Sequence, residues 1–138
     1  MQVSSIESSL NTTYKWLNEF KEFGNFRDES QSYSVLRVVL HHLRDKLPLD
    51  VSAHLAAQFP LVLKGLYYDG WDPSHEIDEA RTFDEFIEPM MKELNNLNVD
   101  IKESVRDCIK FLNKKLERDL SEKVMQSLPH KLRNALLH

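Results

Sequence analysis

The sequence predicts an all-α protein built as a tandem duplication, and three observations carry that reading. Only three glycines occur (Gly24, Gly65 and Gly70), and no stretch alternates apolar with polar residues as a half-buried strand would. Apolar residues instead recur at helical spacing: Leu36, Leu40, Leu43 and Leu47 share one face of a helix through 32–47, with Val39 beside them. Val105, Ile109, Leu112 and Leu116 do the same through 101–116, with Cys108 beside them. The third observation is that these two helices match. Shifted by 69, "VLRVVLHHLRDKLPLDVSAHLAAQFPLVLKGLYY" lies without gaps on "SVRDCIKFLNKKLERDLSEKVMQSLPHKLRNALL", with 8 of 34 positions identical. The identities include Leu43/Leu112, Lys46/Lys115, Ser52/Ser121 and Pro60/Pro129.

Each repeat then reads as four helices, about eight in all, packed as one compact bundle. Repeat one covers 1–72 and repeat two 73–138, together making one domain. The first helix of each is expected over about 12–23 and 83–96, the second of the pair opening at "TFDE" as a capping box. The second helix of repeat two begins at "DIKE", where Asp100 caps and Glu103 reaches back. A short third helix is expected to start on Asp50 or Asp119 as cap. Pro60 or Pro129 opens the fourth, since proline suits a first turn and disfavours helix in the residue before it. Pro89 falls inside a predicted helix, so a kink or break is expected there. Gly70 and Pro73 should end the fourth helix of repeat one, leaving Trp71 to pack across the junction with Tyr67 or Tyr68.

At 138 residues the chain can bury roughly 68–70% of its unfolded surface, which needs no disulfide or metal to hold it. The single Cys108 rules out an internal disulfide and a cysteine-rich zinc cage, and aligns with Val39 on the leucine face as an inert small hydrophobe. "MQVSSIESSLNTTYKW" has no basic start followed by an apolar run, and no apolar stretch approaches the ~18 residues of a membrane span. A cytoplasmic location is the expectation.

Residues private to one repeat are the candidates for function: His41, His42, His54, Gln58, Tyr67, Tyr68 and the exit "DGWDPS". No H-E-x-x-H or paired H-x-x-x-H spacing joins the histidines, so no metal, cofactor or catalytic residue is assigned. There is likewise no G-x-S-x-G, Walker or G-x-G-x-x-G segment, and the chain leans toward not being an enzyme. Charge is polarised: residues 1–101 carry 9 basic and 17 acidic side chains, residues 102–138 carry 9 and 5. Lys102, Arg106, Lys110 and Lys114 run down one helix face, suited to solvent, to an anionic partner or to the acid-rich 69–88 segment of the same chain. Tyr68 and Trp71 could add an aromatic patch for a partner. A helix-turn-helix around Pro60 is disfavoured, because "PLVLKGLYY" offers one Lys64 where base-reading polar residues belong.

"VLRVVLHHLRDKLPLDVSAHLAAQFPLVLKGLYYDGWDPS", with "LPHKLR" as a second marker, closely resembles the signature of an uncharacterised bacterial family, domain of unknown function 2267. The resemblance spans nearly the whole chain. It implies a small bacterial cytoplasmic helical protein, and it brings no activity, cofactor or catalytic residue. The favoured function is a non-catalytic interaction or scaffold protein, monomer or homodimer, whose partner is another protein rather than a membrane or nucleic acid. The alternative is a small-molecule or metal-dependent activity centred on His41, His42 and His54, which requires those side chains to converge.

Overall fold

A computed structural model describes residues 3–74 and 76–138. Among them are eight helices and no strand: α1 (Ser4–Gly24), α2 (Glu29–Lys46), α3 (Leu49–Ala57), α4 (Leu61–Tyr68), α5 (Phe83–Glu93), α6 (Ile101–Lys115), α7 (Arg118–Gln126) and α8 (His130–Leu137). Three start on side-chain caps. Asp28 accepts the Gln31 amide, Thr82 the Glu85 amide and Asp100 the Glu103 amide, each satisfying one N–H that the first turn leaves unpaired. The Gln31 amide bond and the Arg27 side chain hold the Asp28 carboxyl below its usual range. Pro60 and Pro129 are the N-caps of α4 and α8, one residue before the first-turn position expected of them, with ψ of 154° and 143° keeping them outside the helix.

Five boundaries depart from expectation, one being the start of α2 at Glu29 rather than 32. α1 begins at Ser4, eight residues before the predicted start, because its first turns carry polar residues that mask the periodicity. Asp50 and Asp119 are not caps: Pro48 and Glu117 hold that position without a side-chain bond, and each Asp lies in the first turn, where its charge favours the N-terminal dipole. α5 ends at Glu93 rather than 96, with Leu94 as its C-cap. It also runs through Pro89 without a break. Glu85, whose carbonyl loses its i+4 donor to the proline, is exposed on the surface, so water can replace that bond.

The helices form two sets, the first four and the last four, that share most of their internal pairings, although α6 also packs on α7. α1 packs on α2 and α4, and α5 packs on α6 and α8; α2 packs on α4 as α6 does on α8. Between the sets, α1 meets α6, α2 meets α5, α2 meets α6 and α3 meets α7. Exchanging the sets converts these inter-set pairings into themselves, while the α6–α7 packing has no counterpart of the same extent between α2 and α3. The buried apolar side chains form one cluster drawn from both sets, from Phe20, Leu36 and Leu43 to Ile109, Leu112 and Leu132.

Trp16 ties the sets together. Its indole meets Phe59 of the first set edge-on at 5.8 Å and Phe111 of the second at 6.1 Å, while Lys115 lies 5.0 Å from the ring and reaches Glu19 at 2.9 Å. Trp71 does not have that role. Gly70, at φ +76°, turns the chain out of α4 as predicted, and the Trp71 ring rests on Tyr68 of the same set with 36% of its surface exposed. The connection crosses the junction through backbone bonds instead. The Asp78 amide donates to the Asp45 carbonyl, and the Lys46 ammonium donates to the carbonyls of Asp78 and Ala80. Burial lowers the Lys46 pKa, the nearby Asp78 charge opposing that shift.

Candidate functional site

The three histidines do not converge. His41 Nε2 donates to the Leu66 carbonyl at 2.7 Å near the end of α4, and burial lowers its pKa. Arg44 completes that helix end through the carbonyls of Tyr67 and Asp69, and Arg106 Nε does the same for Ala135 of α8. His41 therefore caps a helix C-terminus in the first set, where an arginine serves in the second. His42 Nε2 lies 2.5 Å from Glu93 in a shallow groove shared with Glu88, Pro89 and Lys92, joining α2 to α5. His54 lines a different groove, between α3 and α7, with Gln58, Glu117 and Lys123. Among the described residues no three His, Cys, Asp or Glu side chains are placed to hold a metal ion. Cys108 is fully buried, and burial pushes its thiol far above the usual range.

The basic row on α6 is largely engaged by the protein itself. Lys102 is 3.7 Å from Asp84, Arg106 lies 4.4 Å over the Phe83 ring, and Lys114 is 5.2 Å from the centre of Phe23. Lys110 is exposed beside Asp107. On α4 the exposed side chains are Leu61 and Val62, with Lys64 half-buried, so no row of polar groups faces outward for base reading.

One concavity was not foreseen. A crevice of about 760 Å³ opens between the α1–α2 corner and the first two turns of α6. One wall is Phe23, Gly24, Asn25, Phe26 and Arg27, and the other carries Asn98, Asp100, Glu103, Ser104 and Asp107. Spacings of three and four residues put the α6 groups on a single helix face. Its shape is held from below by Gln31, whose side-chain oxygen accepts the Arg27 amide while its Nε2 donates to the Leu97 carbonyl, both at 2.8 Å. Asn25 and Asn98 both adopt left-handed backbone (φ 56° and 58°), which asparagine tolerates better than most residues. Gly24 has to be small, since a Cβ there would meet the Phe26 ring at 2.4 Å. Asp107 has its carboxyl pKa raised by burial and by the neighbouring Glu103 charge. The wall residues are separated by about 75 positions in the chain. A repeat alignment at offset 69 does not pair them, because the Asp28 and Asp100 caps stand 72 apart.

This architecture is that of a small all-helical protein whose polar crevice carries carboxylates and a hydroxyl. Its sequence places it in a family: residues 13–135 match the model of the uncharacterized conserved proteins DUF2267, and the chain belongs to that family. Among curated proteins none matches it.

Proposed function

We propose that the protein is a non-catalytic interaction module of the bacterial cytoplasm, built by duplication of a four-helix unit covering 1–72 and 73–138. The observation that carries the reading is where its chemistry-bearing side chains go. His41, Arg44, Lys46 and Arg106 end on backbone carbonyls of the same chain, and His42 on Glu93. These groups, which could otherwise serve as bases or electrophiles, are thus engaged in joining helices, whereas His54 is exposed in its groove. The correspondence of most helix pairings supports the duplication, as does the 69-residue spacing of the ends of α2 and α6 at Leu47 and Leu116. With Lys102, Arg106 and Lys114 engaged internally, the contact surface is best assigned to Tyr68 and Trp71, with Lys110 at a separate place. The exposed Trp71 ring, backed by the half-buried Tyr68 at a helix end, is suited to anchoring a protein partner.

Photo-crosslinking tests this. A benzophenone side chain at position 71, expressed in the source organism, should give a discrete adduct absent when the same group stands at Tyr33, which is also exposed. Equal adducts from both positions, or none from position 71, would refute the assignment.

A further inference from the structure

We propose that α1 carries a homodimerisation surface, an outward apolar stripe that packs antiparallel against the same stripe of a second copy of this chain. Val3, Ile6, Leu10 and Tyr14 are between 40 and 64% exposed. They follow one another at intervals of three, four and four residues, so they line one face of the helix. The core takes a different face, through Ser9, Thr13, Trp16 and Phe20. This surface is additional to Tyr68 and Trp71, which are assigned to a different protein.

The fold does not require the stripe. The buried Thr13, Trp16, Leu17 and Phe20 of α1 answer to the buried Phe83, Phe86, Ile87 and Met90 of α5, an offset of 70. At that offset the stripe falls on Pro73, Glu76, Ala80 and Asp84, none of them a large aliphatic or aromatic residue. α5 begins only at Phe83, yet it docks on α6 and α8 as α1 docks on α2 and α4. The early turns of α1, from Ser4 onward, are therefore dispensable for that docking. An apolar row displayed on them, and on one set alone, marks contact with another molecule.

Charge selects the occupant. Over Ser4–Lys15 the charged residues are Glu7 and Lys15, and neither side chain has a hydrogen bond or ion pair among the described residues. Glu7 follows Ile6 and Lys15 follows Tyr14, so both lie off the same side of the stripe. A twofold axis through Leu10, with the second α1 running antiparallel, sets Leu10 on its own copy and Ile6 on Tyr14 of the second copy. It also keeps like flanks together, so Glu7 of each chain reaches the flank that holds Lys15 of the other. One operation thus closes the apolar layers and pairs opposite charges twice. A parallel pair would leave Glu7 and Lys15 about 12 Å apart along the axis and bring like ends of the helix dipoles together. A foreign helix of uniform charge would be repelled by one of the two.

The stripe runs about 16 Å along the helix. A contact of that length is smaller than the roughly 800 Å² per partner of a standard interface, so the dimer is reversible, dissociating on the order of 10 μM. Sedimentation velocity over concentrations well below and well above that value tests it. The wild-type chain should pass from monomer to dimer. Leu10→Asp and Ile6→Asp should each weaken association at least about tenfold, and either serves if the other fails to fold. Glu7→Lys and Lys15→Glu should each weaken it about fivefold, and the double exchange Glu7→Lys/Lys15→Glu should restore it. Leu10→Cys should form a disulfide-linked dimer under mild oxidation, and Thr12→Cys, exposed on the opposite face, should not; the buried Cys108 stays out of that reaction. A chain that remains monomeric throughout overturns the proposal, and a stripe made for a different protein gives that result. A dimer indifferent to both Asp variants, or a double exchange no stronger than the single ones, overturns it as well.

Discussion

Removing the hydroxyl of Tyr67 should destabilise the fold by an amount set almost wholly by the atom left behind. Tyr67 is fully buried on α4, and its Oη lies 2.5 Å from Ser52 Oγ on α3, itself 5% exposed. In Tyr67→Phe the ring keeps its place against Phe59 and Tyr68, with centroids at 5.5 and 5.3 Å, so the packing loss is small. What remains is a stranded serine hydroxyl, at about 1–3 kcal/mol. The low half of that range applies, because a helical serine can turn toward a carbonyl one turn back. About 1.5 kcal/mol, with an unfolding entropy near 0.3 kcal/mol/K for 138 residues, lowers Tm by about 5 °C. Removing both partners in Tyr67→Phe/Ser52→Ala should cost less than the two single changes added together. A double-mutant cycle from thermal and urea unfolding should therefore return a coupling of at least about 1 kcal/mol. Alkaline pH gives a second handle. Burial pushes the Tyr67 hydroxyl up to about 12 from an unfolded value of about 10. The folded state thus prefers the protonated form, and the resulting stability is fully present below pH 10 and is lost as pH rises from about 10 to 12. Over that window the wild-type chain should lose stability faster than Tyr67→Phe. A coupling within about 0.3 kcal/mol of zero, or parallel alkaline unfolding of the two proteins, would refute the reasoning.

The two tryptophans should separate sharply. Trp16→Ala removes a ring 7% exposed that touches both helix sets and should cost about 3–5 kcal/mol, whereas Trp71→Ala, which loses a single half-exposed ring pair, should cost no more than about 1.5 kcal/mol; thermal melts of the two variants compare them directly. Cys108, fully buried with its thiol pushed up, should resist a thiol-reactive dye in the native protein and react at the rate of unfolding when urea is added; immediate labelling in buffer would place it wrongly.

Helix type and order were determined by the chain locally. The leucine ladder through 36–47, the caps at Thr82 and Asp100 and the prolines at the starts of α4 and α8 are short-range signals, each acting within a turn or two, and each is within a residue of where the sequence places it. The early start of α1 and the end of α5 were less legible, since polar first turns and an exposed proline change periodicity without breaking the helix. His41, His42 and His54 could be named as private to one half, but not located. Which carbonyl or carboxylate each side chain meets depends on α4 and α5 lying against α2, a matter of packing between distant segments. The same holds for the tryptophans. Composition identifies two large rings, and only the docking of α1 on α6 makes Trp16 rather than Trp71 the one that joins the sets. The crevice is the extreme case. Ser104 reads as an ordinary helical serine until the α1–α2 corner comes to stand opposite it, and Gln31 becomes a clamp only when Leu97 arrives within 2.8 Å. Local geometry is written in neighbours along the chain, whereas a site between elements exists only once burial of the shared core has brought its walls together.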